Sequence, residues 1–249
     1  MDDHESRTRF SVARGLLRMG RMSESLYCAL VGIQYWLVER RTPGSYRHIW
    51  LAAAEDIAGM RTPLGRHIGC RPNRFPAPHP ATRRQAAALR LLFVGTLDYP
   101  PNAEAASWLA LQLVPRLQAM PLPPWRLTVV GRNPSRQLQQ ALAGAGIQLL
   151  ENHPHIEQAY ADADLVLVPL FTGGGTKLKT LEAFAHGLPV VSTPHGIRGL
   201  GAIDGQHCLV AASAAGMALA VRELAGDAAL RRRLGAAGQA LWRAQFQSS

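Results

Sequence analysis

A chain of 249 residues can hold one large domain or two unequal ones around a real core. Its net charge of +10 raises nucleic-acid binding, yet the excess sits at the front: residues 1–90 hold 15 Arg against 7 acidic residues, and the remainder holds 12 basic against 10 acidic. No zinc spacing, RNA-binding aromatic motif or recognition helix accompanies that charge, so no nucleic-acid partner is expected.

The chain starts Met-Asp-Asp-His-Glu with no basic-then-apolar pattern, so no signal peptide is expected. Residues 26–38 (LYCALVGIQYWLV) carry no charge but are too few to span a bilayer, which takes about 20. They read as a buried or interfacial helix. Residues 7–60 read as mainly helical, with a second helix over 48–60. In 61–80, five prolines and two glycines are mixed with Arg and His, which marks an irregular linker. Cys28, Cys70 and Cys208 are odd in number and widely spaced, so neither zinc nor a redox dithiol is indicated and a reducing cytoplasm fits.

The texture then changes. LRLLFVG (89–95) reads as a strand, with Asn102 placed to cap a helix running to about residue 120. RLTVVG (126–131) is the next strand, and Pro134 opens a helix to about residue 143. A strand at 147–150, a short helix at 156–161 and a strand at 164–170 follow. Glycines 173–175 make a turn into a helix over 176–186, and LPVVST (188–193) is a fifth strand. A weak strand at 207–210 and helices over 214–225 and 228–244 complete the chain. Strands rich in Val and Leu, alternating with helices, predict an α/β fold with a Rossmann-like parallel sheet covered by helices on both faces. It is preceded by a partial, mainly helical segment, dividing the chain at 1–80 and 81–249. Ligands of such sheets bind at the C-terminal strand ends, where the loops at Gly95, Gly131 and 173–175 lie.

The strongest motif is FTGGGTKLKTLEAFAHG (171–187). Gly173, Gly174 and Gly175 let the backbone approach an anion. Thr176 and the helix start add N–H donors, and Lys177 and Lys179 add positive charge. The spacing matches neither GxGxxG nor a Walker motif, so a sugar-nucleotide diphosphate fits better than NAD or ATP. An empty strand-to-helix turn is the competing reading. Glu182 can accept both hydroxyls of a ribose, or it can be a surface partner of Lys179 one turn back.

FVGTLDYPPN (93–102), LTVVGRNP (127–134), ADADLVLVPL (161–170), GGGTKLKTLEAFAHGLPVVSTPHGIRGL (173–200) and LRRRLG (230–235) stand in one order. In that order they resemble the C-terminal donor-binding domain of glycosyl transferases group 1, or family 4. These are retaining enzymes of the two-domain GT-B type. The resemblance implies that Gly95 and Thr96 lie at the domain cleft, that Lys179 approaches the diphosphate and that Glu182 holds the ribose. It also implies that Gly196 shapes the donor pocket, with His195 and Arg198 as weaker candidates. The family commonly has a first glutamate eight positions before Glu182. Gly174 stands there, a departure shared by a subgroup with a similar glycine turn.

The implied activity is transfer of a sugar from a nucleotide-sugar co-substrate to a glycan, lipid or small-molecule acceptor, as in bacterial polysaccharide synthesis. No cofactor or protein nucleophile is needed, and no divalent-metal motif stands out. The first 80 residues resemble at most the last helical part of an acceptor domain, and no Trp-containing helix follows AQFQSS, so a fragment with weak or absent transfer is expected. A non-catalytic module is the alternative, held at the inner face of a membrane through Arg7, Arg9, Arg14, Arg18 and Arg21 beside residues 26–38.

Overall fold

The computed structural model describes residues 5–18, 20–52, 57, 67–71, 73–78 and 87–248. Its main sheet has six parallel strands in the order β5-β4-β3-β6-β7-β8. They are β3 (Leu89–Val94), β4 (Trp125–Gly131), β5 (Gln148–Glu151), β6 (Leu165–Val168), β7 (Val190–Ser192) and β8 (Leu209–Val210). The order reverses between β3 and β6, which sit side by side at the centre. Every residue of both strands is buried, as a parallel sheet covered on two faces requires. The Rossmann-like α/β expectation holds.

The first crossover is one helical run: α3 (Pro100–Trp108), a π-helical stretch (Leu109–Leu113) and α4 (Val114–Gln118). The π stretch ends two residues before Pro115, whose missing N–H cannot continue the regular ladder. The remaining helices are α5 (Arg136–Gly144), α6 (Ile156–Ala161), α7 (Leu178–Ala185), α8 (Ala214–Gly226) and α9 (Ala228–Gln245). Helix α9 approaches α7 through small residues. A Cβ at Gly235 would lie 2.1 Å from the Gly187 carbonyl oxygen, and one at Gly238 would strike the Phe184 ring at 2.6 Å.

Two helix starts differ from expectation. Asn102 does not cap α3: Tyr99 is the N-cap residue, and Pro100 and Pro101 open the helix one turn earlier. Ser135, rather than Pro134, begins α5, its hydroxyl accepting from the Leu138 N–H at 3.2 Å.

At the front, α1 (Glu5–Arg18) and α2 (Met22–Ser45) form an antiparallel pair. The helix expected over 48–60 is corrected at its start. His48–Leu51 is a strand, β1, paired in parallel with β2 (His67–Cys70) inside the stretch read as irregular. The cause is a period of two: Ile49 and Leu51 are buried, His48 and Trp50 exposed. Residues 53–56 and 58–66 lie outside the described residues. The charge-free stretch 26–38 does fall in α2 but is not buried: Leu26 is 62% and Tyr27 67% exposed. Among the described residues no helix is long and apolar enough to cross a membrane.

Candidate functional site

The glycine turn follows β6, and it is braced from several sides. Gly173 and Gly175 have φ of 100° and 67°, a left-handed backbone that disfavours any side chain. Lys177 is buried, and its ammonium donates to the carbonyls of Gly174 at 3.2 Å and Gly175 at 3.0 Å. Asn73 donates to the Thr176 hydroxyl at 3.1 Å. From α1, the Ser11 hydroxyl accepts the Gly173 N–H at 3.0 Å, while Thr172 donates to Glu104 on α3 at 2.7 Å.

His195 closes the turn from β7's side. Its Nε2 lies 2.8 Å from the Gly173 carbonyl oxygen. Burial, then the Lys177 charge, push its pKa down to about 4, so the ring is neutral at pH 7. A neutral ring facing a carbonyl carries its proton on Nε2. Gly196 follows in a 3-10 turn (Pro194–Ile197), where a Cβ would lie 2.3 Å from the Ser192 hydroxyl and 2.8 Å from Val168. Thr180 of α7 donates to the Gly196 carbonyl at 2.7 Å. Arg198 is exposed at the end of this loop.

Beside the turn, at the C-terminal ends of β3 and β4, lies a cleft of about 410 Å³. Gly95, Thr96, Asn102, Gly131, Arg132, His153, Ile156, Lys179 and Glu182 are among its lining residues. Two glycines let its walls meet: a Cβ at Gly131 would lie 2.2 Å from the Gly95 carbonyl oxygen, and one at Gly95 2.8 Å from Asn102. Asn102 joins two sides, donating to the Thr96 carbonyl at 2.9 Å and accepting from Lys179 Nζ at 2.8 Å.

Lys179 also stands 5.7 Å from the centre of the Phe93 ring. Burial pushes its pKa down to about 8; the Glu182 carboxylate opposes that shift, and the Lys177 charge adds to it. Glu182, one helical turn along α7, accepts from the Tyr160 hydroxyl at 2.7 Å. Lys179 is therefore directed to Asn102 and Glu182 to Tyr160, rather than to each other as in a surface pair.

Of the residues singled out from sequence, the structure brings Gly95, Thr96, Lys179 and Glu182 together along the cleft. Gly173, Gly174, Gly175, Thr176, Lys177, His195, Gly196 and Arg198 lie outside that lining, in the adjoining turn and loop. Asn102 as the partner of Lys179, Tyr160, Arg132 and His153 had no local sequence signal, since each acts across 20 or more positions or only through the fold. Among the described residues no group of three His, Cys, Asp or Glu side chains is placed to hold a metal ion.

A parallel sheet with a cleft at the C-terminal ends of its strands is the ligand-binding arrangement of open α/β folds, and comparison with known proteins gives it a class. The chain belongs to the glycosyl transferases group 1 family, whose model matches residues 88–227. It is 29% identical over 150 residues to an uncharacterized 44.6 kDa protein in the cps region of Klebsiella pneumoniae, covering 56% of this chain and 38% of that one. The fold is similar to that of WaaG, a glycosyltransferase involved in lipopolysaccharide biosynthesis, with a TM-score of 0.62 and 20% identity over 79% of this chain and 58% of that one. It is also similar to Anabaena Alr3699/HepE, solved in complex with UDP and glucose, with a TM-score of 0.65 and 14% identity over 86% and 63% of the two chains. This chain thus spans less than two thirds of each of these three relatives.

Proposed function

We propose that this chain is the donor-binding part of a retaining, family 4 glycosyltransferase, which transfers a sugar from a nucleotide sugar to a glycan, lipid or small-molecule acceptor in bacterial polysaccharide synthesis. The observation that carries the reading is the pairing on α7: a cation and a carboxylate one turn apart, each held by a different partner, both lining one cleft. Lys179 meets the diphosphate and stabilises charge developing on the leaving phosphate, and Glu182 accepts from the ribose hydroxyls. Gly173, Gly174, Gly175 and Thr176 border the sugar end, with Lys177 and His195 fixing the shape of their turn. The complex of HepE with UDP and glucose supports a uridine nucleotide as the first ligand to try.

Residues 81–249 form the donor domain, and residues 1–80 belong to the acceptor side. Transfer needs an acceptor held in place and water kept out, which is the work of a facing domain. Residues 81–249 by themselves account for nucleotide binding, and transfer requires the acceptor side as well.

Calorimetric titration with UDP and GDP, with Glu182→Ala as control, tests the reading. Saturable binding that weakens in the variant supports it; a folded chain that binds neither nucleotide removes it.

A second reading, peripheral attachment to the inner face of a membrane, is favoured by α2. Leu26, Tyr27, Leu30, Ile33, Trp36 and Leu37 are all exposed on it, beside Arg21 and Arg40. Sedimentation with anionic vesicles, compared with a Leu26→Ser/Leu30→Ser/Ile33→Ser variant, tests it: equal sedimentation of both proteins, or none of either, rejects attachment through this face.

A further inference from the structure

Tyr160 has no part in the function proposed above, yet its environment is unusual for a residue outside a site. Its side chain is fully buried, on the short helix α6 whose first residue, Ile156, lines the cleft. A phenol hydroxyl removed from water needs a hydrogen-bond partner. It finds Glu182 Oε2 at 2.7 Å, 22 residues away in sequence. His186, one turn beyond Glu182 on α7, stacks on the phenol ring, with centroids 5.0 Å apart and planes 14° apart. The ring is thus clamped, and its hydroxyl can only face the carboxylate.

The direction of that hydrogen bond is fixed as well. Burial, then the neighbouring Glu182 charge, raise the tyrosine pKa well above its ordinary value, so the phenol keeps its proton. It is a permanent donor to Glu182.

A glutamate side chain on a cleft wall has three torsions to order when a ligand arrives, which weakens binding. Here Oε2 already has its donor before any ligand enters. We infer that Tyr160 is a positioning residue for ribose recognition: by holding Glu182 Oε2 it fixes the carboxylate so that Oε1 is presented to the sugar hydroxyls of a ribonucleotide. The inference rests on the nucleotide-sugar reading and deepens it. It assigns the preference for a ribose diol to an exposed carboxylate held by a buried phenol rather than to Glu182 alone.

The test is calorimetric titration of the whole chain and of Tyr160→Phe with UDP and with 2′,3′-dideoxyuridine diphosphate. The wild type is expected to favour UDP. In Tyr160→Phe the UDP affinity falls about 5- to 20-fold while the dideoxy affinity stays within about twofold, so the preference narrows. Tyr160→Met, which also lacks the hydroxyl, gives the same narrowing. Equal losses for both nucleotides would show a merely structural role and overturn the inference, as would no change for either. If the wild type binds UDP and Glu182→Ala weakens it, but Tyr160→Phe leaves the preference intact, the inference alone fails. If the wild type binds neither nucleotide, the donor-site reading itself fails and takes the inference with it.

Discussion

Lys179 offers the sharpest prediction, because one side chain links stability, ionisation and ligand binding with opposite signs. Its pKa of about 8 in the folded chain compares with 10.5 when solvated. About nine chains in ten carry the charge at pH 7, about half at pH 8 and about one in ten at pH 9. A diphosphate places negative charge beside it and draws the pKa back up. Binding UDP should therefore take up about half a proton at pH 8 and close to one at pH 9. Calorimetry in buffers of different ionisation enthalpy reads this directly. Above pH 8, where the terminal phosphate of UDP is already fully ionised, affinity should fall by up to about tenfold per pH unit.

Lys179→Met should abolish the proton uptake and weaken UDP binding about 10- to 150-fold, the worth of about 1.5–3 kcal/mol for a hydrogen bond to a charged group. It should also make the free protein more stable. The folded chain releases this proton near pH 8 and the unfolded chain only near 10.5. Between those values the unfolded state binds more protons, so wild-type stability rises with pH; below pH 8 the full penalty remains, on the order of 1–3 kcal/mol. Denaturant melts at pH 7 should show the variant ahead, and the gap should close as pH rises through that window. A variant that is less stable at pH 7 and binds UDP as well as wild type would refute the whole chain of reasoning.

Gly131→Ala should destabilise the fold by about 1–3 kcal/mol and close the cleft floor, because its Cβ would meet the Gly95 carbonyl at 2.2 Å; urea melts and UDP titration check both. His195, with a folded pKa near 4 against 6.5 in the unfolded chain, makes the protein lose stability as pH falls from 6.5 to 4. The unfolded state binds the extra proton across that window, and His195→Asn should flatten this part of the acid melting curve. Lys177→Met should raise the His195 pKa, since the Lys177 charge is second only to burial in lowering it, yet leave it below 6.5; proton NMR of the imidazole follows this.

The strands of the main sheet were legible because burial on both faces forces runs such as Leu89–Val94 and Leu165–Val168 to be apolar without interruption. The glycine turn was legible because a left-handed backbone accepts little else. The front was less so. Four residues of β1 carry too short a period to outweigh the run of alanines behind them, and its partner β2 lies in a proline-rich stretch. In the cleft, Lys179 and Glu182 were visible through the motif's resemblance to the family, their spacing alone fitting a surface pair equally well, whereas the roles of Asn102 and Tyr160 were not visible. Nothing about an asparagine 77 positions before a lysine, or a tyrosine 22 before a glutamate, marks the pair until the sheet brings their strand ends together.

The same geometry explains why two lysines two residues apart have different work. Lys177 stands just before the first residue of α7, and its chain folds back on the turn, with its ammonium against two carbonyls. Lys179 lies within the first turn, on the side of the helix facing β3 and α3, where its other neighbours are the Phe93 ring and one amide oxygen. An ammonium with two carbonyl acceptors is well compensated in a buried place, and replacing either by a ligand oxygen would disturb the turn. An ammonium with a single side-chain acceptor has donors to offer, and its lowered pKa records incomplete compensation. Of the two lysines, the one with the single acceptor is the one an arriving diphosphate would relieve more, so the proposed donor site gives Lys179 the direct contact and leaves Lys177 to shape the turn.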